Sequence, residues 1–245
     1  MELFYFIFRE VFYRPLFNLL IIFYQYTPPF DLGIAIFILA ILIRLFLWPI
    51  TSKAIKDREE MTRKTKEFQE ELKKIKKRYK DNSVVQREEI LKLWREKKIN
   101  PFSNFVPLII QIIIFITFYR VLTSIISAPD FSSLYGFISQ PAEIDPFFLN
   151  LIDLSQKNKV LAFLTGFFQY LYSKIAFSSN RKPVLENKGT FQEGFQKTIQ
   201  TQMSYFMPIM IFFFALALPA VIAFYWTISL LFEILQYKII KKKTI

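Results

Sequence analysis

Apolar runs of near-membrane length, separated by segments dense in charge, constrain this chain more than any other feature. Leu32 to Ile50, Phe105 to Ile126, Val160 to Phe177 and Met203 to Tyr237 are such runs. A membrane-crossing helix needs about 20 apolar residues at ~1.5 Å rise each. The last run has 35 residues, about 52 Å as one straight helix and too long for a hydrocarbon core of ~30 Å. Pro219 sits near its middle, so the run reads as two helices that turn at Leu218-Pro219-Ala220. Of the 245 residues 53% are hydrophobic, yet the formal net charge is +12, so the charge must sit between the spans.

The amino-terminal stretch Leu3 to Tyr26 is apolar but carries Arg9, Glu10, Arg14 and Pro15 at its centre. A charge at mid-bilayer costs roughly 2.5–3.5 kcal/mol, and Pro15 is expected to break a helix. The segment from about Pro15 to Tyr26 therefore reads as a helix lying in the membrane interface. A basic start followed by a small-residue cleavage site is missing, so no cleavable signal is expected.

From Lys53 to Asn100 the composition switches to 17 Lys/Arg against 10 Asp/Glu. Met61, Phe68, Leu72, Ile75 and Tyr79 recur at helical spacing, and Ile90, Leu91 and Trp94 mark a second, shorter stripe. Asp81-Asn82-Ser83 supplies a turn and a cap, which predicts a helical hairpin in water. Between the second and third spans the loop from Ser127 to Asn158 holds Asp130, Glu143, Asp145 and Asp153 against Lys157. Basic segments inside and an acidic loop outside satisfy the positive-inside rule.

The expected fold is all-α and polytopic, with five membrane spans. An interfacial amphipathic helix on the outer face occupies residues 1–30, and the spans cover 31–52, 104–127, 159–178, 203–218 and 219–237. A cytoplasmic hairpin fills 53–100, an extracytoplasmic loop 128–158, a cytoplasmic loop 179–202 and a basic tail 238–245. Met203 to Leu218 and Val160 to Phe177 come to about 24 and 27 Å as helices, short enough to thin the surrounding bilayer.

Cys and His are absent, which removes disulfides, thiolate chemistry and the commonest metal ligand. No cofactor is expected, and no catalytic dyad stands out: Asp145 and Asp153 alone do not make one.

Four stretches carry a family resemblance. DLGIAIFILAILIRLFLWPITSKAIK, with Arg44, resembles the first core span of the YidC/Oxa-type membrane protein insertases. INPFSNFVPLIIQIIIFITFYRVL is similar to their second span through Asn100-Pro101, Pro107, Gln111 and Tyr119. FFLNLIDLSQKNKVLAFLTGFFQYLYSK resembles the outer loop and third span through Asp153-Leu154, Gly166 and Gln169. MPIMIFFFALALPAVIAFYWTISLLFEILQ resembles the closing pair through Pro208, Pro219, Tyr225-Trp226 and Gln236. The chain departs from the family pattern at Val221-Ile222, where a glycine is usual, at Leu230, where a polar residue is common, and at Glu233, where an acid is rare.

The resemblance implies an insertase without nucleotide hydrolysis in the bacterial inner membrane; the charge pattern places the amino terminus out and the carboxyl terminus in. A hydrophilic groove open to the cytoplasm and lipid would take the polar segment of a nascent membrane protein. Its partners would be nascent membrane protein substrates, the translating ribosome, the lipid bilayer and, in some members, the Sec translocon, with no role for DNA. Substrate range, oligomeric state, dependence on Sec, the role of Glu233 and whether residues 3–26 span or lie on the membrane are left open. A small-solute transporter or channel and a lipid scramblase are the competing readings; no inverted repeat supports the first.

Arg44 is the sharpest site residue, roughly 12 Å inside the cytoplasmic boundary of its span. Its plain alternative is snorkelling to the headgroups. Gln111, Gln169, Ser173, Trp226 and Thr227 are candidates for the same groove wall. Interhelical hydrogen bonding is the alternative for the polar residues and aromatic packing for Trp226. Glu233 is a candidate charge partner, and Lys238, Lys241, Lys242 and Lys243 are candidates for ribosome or anionic-lipid contact.

Overall fold

A computed structural model describes residues 2–28, 31–80, 82–96, 106–126, 131–177 and 202–244. They are mostly helical: α1 (Glu2–Ile7), a π-helical turn (Phe8–Tyr13), α2 (Arg14–Tyr26), α3 (Leu32–Phe46), α4 (Trp48–Arg78), α5 (Ser83–Glu96), α6 (Val106–Ile126) and α7 (Lys159–Phe177). A second π-helical turn (Gln202–Phe206) leads into α8 (Met207–Ala217), and α9 (Ala220–Thr244) closes the chain. Residues Met1–Trp48 with Gln111–Ile245 form one compact unit, and Pro49–Ile110 form another.

In the larger unit, three helices start at the same end of a bundle, and a loop caps that end. Asp31 caps α3 by accepting a hydrogen bond from the Ile34 N–H at 2.9 Å, and its other carboxylate oxygen accepts from the Leu149 N–H. Leu149 and Asn150 have φ of 52° and 54°, a left-handed conformation that costs a leucine energy, so the bond from Asp31 helps hold the turn. That turn joins a two-stranded antiparallel hairpin, β1 (Phe147–Phe148) and β2 (Ile152–Asp153), which the all-α expectation lacked. Gly33 is required beside it: a Cβ there would lie 2.4 Å from the Phe148 ring. The Ala220 and Val221 N–H groups at the start of α9 donate to Gln156 and Leu154 carbonyls at 2.7 and 2.9 Å. Asn158 caps α7 at the same place, accepting from the Val160 and Leu161 N–H groups.

The buried core of this unit joins α2, α3, α6, α7, α8, α9 and the loop through residues such as Phe17, Leu39, Phe118, Ala162, Ala215 and Tyr225. Phe118 stacks on Tyr225 with ring centroids 3.8 Å apart. Gly166 lets α7 approach α8, since a Cβ there would sit 2.8 Å from the Phe212 Cβ.

Pro15 does not break the amino-terminal helix. The preceding π turn, in which the Arg14 N–H donates to the Arg9 carbonyl, widens the coil just before the proline, and the chain passes helically from α1 into α2. α2 then follows the loop. Arg14 Nε and Asn18 Nδ2 donate to the Ser133 carbonyl at 3.2 and 2.9 Å, and Asn18 Oδ1 accepts from the Tyr135 N–H at 2.7 Å. Further along, the Tyr24 hydroxyl accepts from the Asp145 N–H and donates to the Glu143 carbonyl, while Gln25 donates to the Ser139 carbonyl.

The smaller unit packs Leu72, Ile90, Leu93 and Ile75 between its two helices. Leu93, not Leu91, carries the second stripe: Leu91 is exposed, and Ile90 and Leu93 lie three apart on one face. Asn82 caps α5 by accepting from the Val85 N–H. The side chains of Met61, Phe68 and Trp94, and all of Asp81, lie outside the described residues.

Helix bounds move from those expected at two places. Pro49 lies in the first turn of α4, where its missing N–H costs nothing, so α4 begins at Trp48 and a break at Leu47 ends α3. α9 continues to Thr244, so the basic tail is the last turns of a helix. Among the described residues, one helix by itself, Ala220–Lys242 with mean hydropathy 1.5, is long and apolar enough to cross a membrane. Leu32–Phe46 passes when joined with Trp48–Asp57, and Ile112–Ile126 and Ser204–Ala217 are shorter apolar helices.

Candidate functional site

α3 and α9 run parallel from the capped end, and each carries a charge the same distance along. Arg44 is 13 residues beyond Asp31, and Glu233 is 13 beyond Ala220, which puts both about 20 Å down the bundle. They meet: Arg44 Nη1 donates to Glu233 Oε1. Arg44 is only 3% exposed, and the Glu233 side chain 17%. One turn further, Gln236 Nε2 donates to the Trp48 carbonyl at 3.2 Å, and the Trp48 ring meets Phe232 edge-on at 5.7 Å. This second contact sets the register of the two helices, so the ion pair is positioned from both sides.

Tyr225, two turns before Glu233 on α9, is buried at 1% exposure. Tyr225, Ser229, Glu233 and Gln236 follow one another at steps of four, four and three, which places them on one face of α9. Ser229 is fully buried on that face. Tyr225 and Ser229 were missed as site residues. The helical spacing from Glu233 back to Tyr225 is the signal that would have found them.

Not every sequence candidate joins this face. Thr227 points instead at α7, where its hydroxyl pairs with that of Thr165 at 2.9 Å and donates to the Ala223 carbonyl at 2.8 Å. Thr165 is itself fully buried. Trp226 packs against Phe115 of α6, ring centroids 4.8 Å apart. Gln169 donates to Ser173 Oγ within α7 at 3.4 Å, and Ser173 is fully buried. Gln111 falls on α6, but its side chain lies outside the described residues, as does that of Lys243. Lys238 and Lys242 are exposed on the last turns of α9, and Lys241 is half-buried. Among the described residues, no group of three or more acidic side chains could hold a metal ion.

A buried ion pair at this depth in a bundle of apolar helices is costly to desolvate, and an intramembrane charge is a functional candidate by default. The sequence matches the family described as 60Kd inner membrane protein over residues 22–245. The chain belongs to that family. Its members are polytopic inner membrane proteins and not enzymes.

Two relatives, each named membrane protein insertase YidC, are 30% identical. The protein of Oceanobacillus iheyensis matches over 86% of this chain and 74% of its own length, and that of Fusobacterium nucleatum over 87% of each. A third protein of that name, from a Caulobacter species, is 36% identical over 65% of this chain but only 24% of its own length. The chain thus spans most of the two shorter relatives and about a quarter of the longer one.

Proposed function

We propose that this protein inserts newly made membrane proteins into the bilayer, receiving a polar segment beside Arg44 and releasing the apolar segment into lipid. The single observation that carries this reading is the Arg44 guanidinium, buried at 3% exposure inside an apolar bundle and held by an acid from a neighbouring helix. Taking two charges out of water is costly even when they pair, and an intramembrane charge is a functional candidate by default. A site that receives polar segments accounts for keeping the pair there. The family membership points the same way, through relatives that carry the insertase name.

In this reading the five apolar segments named above each cross the membrane. The loop capped by α2 faces outward with α2 in the interface, and the hairpin of α4 and α5 faces the cytoplasm with the carboxyl terminus. The charge distribution supports this orientation. Gln169 and Ser173 line the groove from α7, and Gln111 lines it from α6. Thr227 and Trp226 hold the groove helices together, Thr227 through Thr165 and Trp226 through Phe115. The lysines at the end of α9 draw the helix end to anionic lipid and to the translating ribosome. No nucleotide or cofactor takes part.

Orientation is checked by single cysteines, since the chain has none of its own. An impermeant thiol reagent added outside intact cells should label a cysteine at Ser139 and spare one at Ser83; labelling of Ser83 would overturn the topology. Activity is checked by producing the protein in a bacterium depleted of its own insertase of this family. Membrane insertion of short single-span proteins should recover. Correctly localised protein that restores none of it would contradict the reading.

A further inference from the structure

We propose that Glu233 is a specificity-determining residue: it neutralises Arg44 from within and so holds acidic substrate segments back from the groove. The proposal rests on the insertase reading above and adds which polar segments this protein prefers. Two observations carry it. Arg44 Nη1 donates to Glu233 Oε1 across the α3–α9 contact. The Gln236 bond to the Trp48 carbonyl, one turn away, fixes the helix register that keeps the pair in reach.

The charge on the groove follows from placement. Of the described charges on α3, α7 and α9, Lys159 stands at the capped end of α7, Lys174 is exposed near its other end, and Lys238, Lys241 and Lys242 lie beyond Tyr237. Lys174 reaches a similar depth along α7, about 24 Å, but is exposed and is not part of the pair. Within the bundle Arg44 and Glu233 meet at about 20 Å, and their charges cancel. A carboxylate on an entering segment therefore finds no net attraction. To reach the guanidinium it must displace a tethered carboxylate, which acts at high effective concentration because α9 carries it. A neutral or basic segment faces no such competitor, and a basic one is offered the Glu233 carboxylate. Removing either member of the pair should bias the groove in opposite directions.

The test uses the full-length protein in vesicles and three single-span substrates that differ only in a translocated tail made acidic, neutral or basic. Glu233→Gln should raise the acidic-to-neutral insertion ratio at least about fivefold, the factor one unit charge at ~4 Å gives even in a water-like dielectric. Arg44→Gln should move the acidic-to-basic ratio the other way by a similar factor. Parent protein that inserts the neutral substrate, combined with a Glu233→Gln ratio equal to its own, overturns this proposal and leaves the insertase reading intact. Parent protein that inserts none of the three overturns both. Should Glu233→Gln fail to accumulate, Arg44→Gln is compared with the double variant Arg44→Gln/Glu233→Gln: a higher acidic-to-neutral ratio in the double variant supports the proposal, and equal ratios refute it.

Discussion

Replacing Arg44 with alanine is expected to lower insertion of a single-span substrate at least about tenfold, the factor set by ~1.4 kcal/mol. Two losses combine. The groove loses the guanidinium that a polar segment would meet, and Glu233 is left as an acid without this counter-ion, its side chain only 17% exposed. Breaking a buried pair on one side typically costs about 3–5 kcal/mol, so part of the effect will be reduced accumulation. The double variant Arg44→Ala/Glu233→Ala separates the two contributions, because it strands no charge. It should recover protein level without recovering insertion. Arg44→Lys keeps the charge and should retain part of the activity, less than the parent because an ammonium cannot reproduce the guanidinium fork. The check is insertion per molecule of protein, with levels matched by quantitative immunoblot. Parental insertion by Arg44→Ala would show that the guanidinium serves only its pairing with Glu233.

The second large effect is structural. Asn18 is 1% exposed, and its side chain joins α2 to the loop through the Ser133 carbonyl and the Tyr135 N–H, while also bonding the Arg14 carbonyl. Asn18→Leu keeps the shape and removes all three bonds. The Ser133 carbonyl retains Arg14 as a donor, but the Tyr135 N–H loses this acceptor. A stranded buried N–H and the lost bonds together cost about 2–4 kcal/mol. Amide exchange at Leu134 and Tyr135 should accelerate, and the loop should become sensitive to protease, while amides in the middle of α7 keep their protection. Unchanged exchange at Tyr135 would mean that the remaining contacts of Tyr24 and Gln25 are sufficient to hold the loop.

How far the sequence carried these conclusions differs by residue. Arg44 stood out because it is the only charge between Leu32 and Phe46, and Glu233 because it interrupts the apolar run before Tyr237. Their meeting could not be read from one chain alone, since nothing in either run reports the rotation of α3 against α9. The same missing rotation explains Thr227 and Trp226. Both were polar or amphipathic residues in the correct helix, but each lies off the face that bears Tyr225, Ser229 and Glu233.

Backbone accommodation was equally hidden. Proline chemistry predicts a break at Pro15, and the π turn that carries the helix across it depends on the Arg14-to-Arg9 bond, a feature without a composition signal. The hairpin at Phe147–Asp153 escaped because its strands are two residues each, too short for any alternation to register. Leu91 was preferred over Leu93 because two neighbouring leucines fit a 3.6-residue period nearly equally well, and only packing against Leu72 separates them.

The most direct measurement of the central claim is insertion in vesicles that contain this protein as their sole protein and receive no nucleotide after synthesis is stopped. A short single-span substrate is presented from the outside, with the cytoplasmic hairpin facing it, and protease is then added. The account predicts a protected fragment of the translocated tail that rises with the amount of parent protein and falls at least about tenfold with Arg44→Ala. Equal protection in empty vesicles and in vesicles holding the parent protein would contradict it.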